Sequence, residues 1–125
     1  MYLHPTPAPS ETPFPGIAHA TWAGEAEGLR QLSLWNQQMA PGCATPPHRH
    51  DCDELVLCQA GRGTLLVDGE RLPFVAGQLM TLPAGSWHQI VNDGSEPLVT
   101  LAVLAATPVA TYLPGDEPLA LPWRT

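Results

Sequence analysis

The residues best able to do chemistry begin with Pro47-His48-Arg49-His50-Asp51-Cys52-Asp53-Glu54. In an extended chain, side chains two apart share a face, so His48 and His50 can point at one centre while Arg49 faces the other way. Glu54 lies far enough beyond His50 for a short bend to return its carboxylate to that centre, and His88 can arrive from a separate strand. Three neutral nitrogens and one anionic oxygen suit a single divalent first-row metal (Fe, Mn, Ni, Zn or Cu) better than a thiolate or all-oxygen set would. Taken alone, a His-x-His also reads as a solvated or hydrogen-bonded pair, and only its surroundings favour a metal. Such a site is expected to lose metal below about pH 6, where ordinary imidazoles protonate.

Those surroundings are two glycine-bounded blocks. In the first, Gly42 is followed after five residues by His48, then by His50, after three more by Glu54, and after six more by Gly61. In the second, Gly77 is followed after five residues by Pro83, then by Gly85, after two by His88 and after three by Asn92. In order and gaps these ten positions resemble the two motifs of the cupin superfamily, with the fifteen-residue spacer of small single-domain members. The resemblance covers roughly residues 30–106. Gln78 departs from it, since many relatives carry Asp after the glycine; that position serves the turn, so the metal site is expected to be unaffected. The resemblance implies an all-β double-stranded β-helix jelly roll, with His48, His50, Glu54 and His88 as metal ligands.

At 125 residues, the chain is sized for one domain. It has five arginines, no lysine and twelve acidic residues, for a net charge of -7. Nucleic acid is therefore excluded as a partner, because phosphate backbones demand clustered cations. The missing lysine removes Schiff-base and P-loop chemistry. No apolar run is long enough for a membrane span, and the basic-then-apolar pattern of a secretory leader is lacking, which points to a cytoplasmic protein. Cys43, Cys52 and Cys58 are too few and odd in number for a disulfide framework and read as free thiols.

The elements that must position the ligands read as short strands. Ala18 to Ala23, Leu29 to Met39, Thr64 to Val67, Glu70 to Phe74, Leu79 to Leu82, Trp87 to Asn92 and Leu98 to Ala105 carry β-compatible bulk, and Asp68-Gly69 marks a two-residue hairpin. A further strand starts at Glu54. If Glu54 faces inward, Val56 and Cys58 follow it by parity, which leaves Leu55 and Leu57 outside. No stretch sustains helical spacing over three turns. Residues 1–16, with five prolines, read as an extended arm. Residues 17–106 form the barrel, and residues 107–125 an irregular tail whose Trp123 anchors in an apolar groove. The expected substrate pocket comprises Trp35, Met39, Val56, Cys58 and Ile90.

An apolar wall without spare acid or base groups favours redox or Lewis-acid chemistry at the metal. With the resemblance, this gives a dioxygenase-like oxidoreductase acting on a small chelating organic anion or enol. The alternatives are a metal-containing small-molecule-binding or sensing module without turnover, and a sugar isomerase or epimerase. For the last, phosphosugar versions need cations that the chain supplies poorly. Strands apolar on both faces, Leu55 to Leu57 and Leu98 to Ala105, require outside cover and point to a homodimer.

Overall fold

The computed structural model describes residues 2–125. In chain order the strands are β1 (Ser10–Glu11), β2 (Ile17–Ala23), β3 (Ser33–Met39), β4 (Arg49–His50), β5 (Glu54–Ala60) and β6 (Arg62–Val67), followed by β7 (Glu70–Val75), β8 (Leu79–Leu82), β9 (His88–Val91), β10 (Leu98–Leu104), β11 (Thr111–Leu113) and β12 (Glu117–Pro118). A single 3-10 turn, Glu25–Glu27, is the only helical element among the described residues. All strand pairs are antiparallel. One layer is a six-stranded sheet in the order β1-β2-β3-β10-β5-β8. The other layer combines β12-β11-β4 with β7-β6-β9, bridged by the residue pairs Ala44–Val91 and His48–His88. This is the expected jelly-roll barrel.

Side-chain alternation builds the core between the layers. Along β10, Leu98, Thr100, Ala102 and Leu104 are buried, while Val99, Leu101 and Val103 are half-buried on the outside. Along β5, Glu54, Val56 and Cys58 point in, and Leu55 and Leu57 are exposed, as parity required. Fully burying an aliphatic side chain is worth about 1.5–3 kcal/mol, so this register cannot slip by one residue without turning its apolar set into water. The hairpin between β6 and β7 turns at Asp68 and Gly69, both at positive φ (51° and 75°), which is the backbone a two-residue turn needs. Gly61 ends β5 at φ 81°, and a Cβ there would run into the Pro97 carbonyl oxygen. Only glycine fits that corner.

Three elements differ from the sequence expectation. Strand β3 begins at Ser33 rather than Leu29, because Leu29 and Leu32 lie exposed with no sheet face to cover them. The N-terminal arm is not free along its whole length: β1 pairs with β2 of the same chain, Ser10 opposite His19, and the Trp22 indole N–H donates to the Pro7 carbonyl oxygen at 2.9 Å. The C-terminal segment is not merely irregular. Between Pro108 and Pro114 it forms β11, which pairs with β4 so that Thr111 lies opposite His50, and Pro118 is accommodated because β12 is an edge strand.

The motif residue Asn92 is wholly buried and ties the barrel's closed end together. Its Nδ2 donates to the carbonyl oxygens of Met39 (2.8 Å) and Glu96 (2.9 Å), and its Oδ1 accepts the Gly94 N–H at 3.0 Å. Replacing it with Ala strands buried backbone groups. Asn92→Ala is expected to cost about 2–3 kcal/mol of stability in urea unfolding, with metal uptake by the folded fraction unchanged.

Candidate metal centre

Backbone pairing brings the histidines together. His48 and His88 face each other across an antiparallel bridge, each N–H donating to the other's carbonyl oxygen at 3.0 Å, so both side chains rise from the same face. His50, two residues on, shares that face. The bend after it is held by the Pro83–Ser86 turn, where the Gly85 N–H donates to the His50 carbonyl oxygen at 2.8 Å and the Ala84 N–H to the Asp53 carboxylate at 2.8 Å. Glu54 comes from the opposite layer, as the first residue of β5, paired with Leu82 and Leu104.

Each imidazole has its Nδ1 fixed by the main chain. His48 Nδ1–H donates to the Pro46 carbonyl oxygen at 2.7 Å and His88 Nδ1–H to that of Ser86 at 3.0 Å. His50 Nδ1–H faces the Ala110 carbonyl oxygen at 3.3 Å and the Thr111 hydroxyl at 2.9 Å. A carbonyl can only accept, so the proton sits on Nδ1 and Nε2 carries a bare lone pair, the form in which imidazole binds a metal. One ligand atom from each of the three histidines lies within 4.8 Å of the others. Glu54 Oε1 is 3.7 Å from His50 Nε2 and 3.5 Å from His88 Nε2. That oxygen is buried without a hydrogen-bond partner. The donor set and the orphaned oxygen fit a divalent ion.

Above the cluster is a cavity of about 60 Å³, room for roughly four to six waters. Trp35, Val56 and Ile90, three of the residues named for the substrate pocket, line it. Met39 and Cys58 do not; both belong to the sealed core, 2% and 1% exposed. Parity places Cys58 inside the barrel, but it stands four residues past Glu54, about 13 Å along the strand and out of reach of the site. Arg49 faces outward, between the Tyr112 and Trp87 rings and paired with Asp51 and Asp116. Glu54 is the only acidic group of the wall, and no arginine lines it.

Residues 35–104 match the family described as the cupin domain. The chain belongs to this family. It is 32% identical over 112 residues to auxin-binding protein 1 of Arabidopsis thaliana, an alignment covering 82% of this chain and 57% of that protein. A gentisate 1,2-dioxygenase of Ralstonia sp is 41% identical over 89 residues, 66% of this chain but 25% of the enzyme. Among solved structures, a cupin-superfamily sugar phosphate isomerase from Silicibacter pomeroyi superposes with a TM-score of 0.69 at 30% identity, covering 80% of this chain and 66% of that one. The chain thus spans little more than half of the auxin-binding protein and a quarter of the dioxygenase.

Sequence reasoning missed several residues of this cupin's site. Phe14, Leu119, Leu121 and Trp123 close the cavity from the two termini, and Thr111 holds His50. Proline spacing had marked both segments as outside the barrel, and only the isolated Trp123 signalled otherwise. Its ring stacks on His19, 4.0 Å between centroids and 13° between planes.

Burial sets the charge states. It lowers His48 to about 3, with help from the neighbouring imidazoles, and His50 to about 4; it lowers His88 as well, so all three are neutral at pH 7. Burial also pushes Glu54 up to about 8. The expected loss of metal through imidazole protonation below pH 6 therefore gives way to competition at Glu54. In the metal-free protein, Glu54 favours folding below its unfolded value near 4.5, and that contribution is lost as pH rises toward 8. The histidines act oppositely: their contribution is present above 6.5 and lost as pH falls toward 4 to 3. A cation holding Glu54 ionised expels its proton. Zinc uptake at pH 7 is expected to release the Glu54 proton, up to one per ion, read by calorimetry in buffers of different ionisation enthalpy, and Glu54→Gln should abolish the release.

Proposed function

We propose that the chain is a metal-dependent cupin oxidoreductase of dioxygenase type, in which His48, His50, Glu54 and His88 hold one divalent first-row metal beside a small chelating organic substrate. The observation that carries this is the gathering of three Nδ1-anchored imidazoles whose ligand nitrogens lie within 4.8 Å of one another, two of them, those of His50 and His88, within 3.7 Å of a buried Glu54 oxygen that has no hydrogen-bond partner. A bound ion supplies Lewis acidity and, if it is iron or manganese, a redox couple. The chain's own contribution is positional. Carbonyls fix the imidazole planes, Glu54 offers the anionic oxygen, and the apolar wall of Trp35, Val56 and Ile90 keeps bulk water from the substrate. No further acid or base lines the cavity, which favours chemistry at the metal over proton shuttling by side chains. Similarity to a gentisate dioxygenase over two thirds of this chain supports the reading.

The experiment is oxygen consumption by iron- and manganese-loaded protein against a panel of 2-hydroxy acids, phenolic acids and enols. Stoichiometric uptake for at least one compound is expected, and a His50→Ala, His88→Ala double variant should lose at least tenfold in metal affinity together with the activity. Ligand binding without oxygen uptake across the panel would instead support the second reading, a metal-containing binding module. The broader alignment with an auxin-binding protein favours that alternative. A phosphosugar isomerase is disfavoured by a wall without arginine in a chain without lysine. The three free cysteines support a reducing compartment such as the cytoplasm, and no helix among the described residues is long and apolar enough to cross a membrane.

The proposed assembly is a homodimer. On the outer face of the six-stranded sheet, Leu57 stands between Leu101 and Leu79, and Leu55 between Val103 and Thr81. Leu55, Leu57 and Leu79 are 43%, 39% and 55% exposed, a contiguous apolar strip with no helix among the described residues to cover it. Twofold packing of two such sheets is the commonest way to cover it. Sedimentation at micromolar concentration should show a dimer, and Leu57→Asp should shift it to monomer or to insolubility; a wild-type monomer would overturn the assignment.

A further inference from the structure

Of the three imidazoles in the cluster, two are held from close by in the chain and one is not. The carbonyl oxygens that fix His48 and His88 belong to Pro46 and Ser86, two residues before each ring. His50 is fixed from 60 residues away, by the Ala110 carbonyl oxygen at 3.3 Å and, one residue further on, by the Thr111 hydroxyl at 2.9 Å. The shorter contact is thus made by the Thr111 side chain, which is buried at the cavity wall. A metal-binding imidazole takes its orientation from the partner of its other ring nitrogen. The orientation of His50 is therefore set by the C-terminal segment.

That segment meets β4 over two residue pairs only, Thr111 opposite His50 and Tyr112 opposite Arg49. Neighbouring pairs of a ladder face opposite ways, so His50 and Thr111 share the inner face, and Arg49 and Tyr112 the outer. So short a ladder needs support from side chains, and the outer pair supplies it. The Arg49 guanidinium lies 4.2 Å from the Tyr112 ring centroid and 5.4 Å from that of Trp87, and it pairs with Asp116 at 3.0 Å. Tyr112 and Asp116 belong to the C-terminal segment, whereas Trp87 directly precedes His88. We propose that Arg49 and Thr111 are positioning residues for the metal centre, Arg49 docking the C-terminal strand from outside and Thr111 holding the His50 ring at the angle that ligates. Docking of the strand and loading of the metal are then linked: the factor by which docking raises metal affinity is the factor by which metal favours docking. The inference rests on the reading of the histidine cluster as the metal site.

The test uses the full chain with zinc, and with cobalt as a spectroscopic substitute. Thr111→Val keeps the shape of the side chain and removes its hydroxyl. Zinc affinity, measured against a chromophoric chelator, should fall about tenfold, and the visible bands of the cobalt protein should shift as the His50 ring turns. Thr111→Ser restores the hydroxyl and should return the affinity to within about threefold and the bands to their wild-type positions, which a packing role for the threonine methyl would not do. Arg49→Met keeps the stem and removes the guanidinium, and should weaken zinc about fivefold. Because Arg49 acts through Thr111, combining Arg49→Met with Thr111→Val should weaken zinc no more than about twofold beyond Thr111→Val alone. Hydrogen exchange supplies the reciprocal arm: zinc should slow exchange over residues 111–119 more than over the β6–β7 hairpin, and Thr111→Val should erase that difference. Wild-type affinity and cobalt bands in Thr111→Val, failure of Thr111→Ser to restore both, or fully additive losses in the double variant would each overturn the proposal. His50→Ala separates it from the reading it rests on. Unchanged zinc affinity in His50→Ala would remove the cluster as the metal site and the proposal with it; a loss there with none in Thr111→Val would leave the cluster standing and overturn only the role of the C-terminal strand.

Discussion

The site depends on one antiparallel residue pair, His48 with His88. Their reciprocal backbone hydrogen bonds, at 3.0 Å each, help splice two three-stranded sheets into the second layer of the barrel and set two imidazoles side by side, with ring centroids 4.3 Å apart. Residues directly opposite in an antiparallel ladder share a face, so the pairing that completes the layer also creates the histidine cluster. His50 inherits that face by parity. Glu54, crossing to the other layer, makes the cluster a point where both layers must keep their spacing.

Holding these groups without metal is costly. Three imidazoles kept neutral and one carboxyl pushed up to about 8 are all consequences of burial in a wall that offers few polar partners. A divalent cation held there would offset the penalty at Glu54 and give the imidazole lone pairs an acceptor, which would couple its uptake to stability and to proton release. The carbonyls at Pro46, Ser86 and Ala110 are as important to this as the rings, since they choose the tautomer. Backbone carbonyls from three separate segments do this, so the tautomers are a property of the fold rather than of the motif.

The two termini make the cavity what it is. Strand β11 extends the ligand-bearing β4, Thr111 braces His50, and Trp123 roofs the space above by stacking on His19 and meeting Trp35 and Phe14 edge to face. A barrel ending at Leu104 would keep its histidine cluster and Glu54 but would expose them to water and lose its aromatic roof. The cupin match at residues 35–104 therefore contains the histidine cluster and most of the cavity wall, and Phe14, Ile17, Thr111, Leu119, Leu121 and Trp123 complete that wall from outside it.

By itself the sequence determined the all-β class, the two motif blocks, the shared face of His48 and His50, and the common parity of Glu54, Val56 and Cys58, because each follows from period-two geometry or from turn spacing; that His88 and Glu54 join the other two histidines was implied by the cupin resemblance. Depth along a strand was not legible. Met39 and Cys58 are inside as parity says, yet they lie beyond the cavity, and only the stacking of the two layers decides which inward residue meets empty space. Nor could proline-rich termini reveal their contacts: Thr111, Leu119, Leu121 and Trp123 reach the site through long-range pairing that carries no local period. The charge states belong to the tertiary structure as well, because the sequence supplies an ordinary glutamate and ordinary histidines and only burial moves them apart.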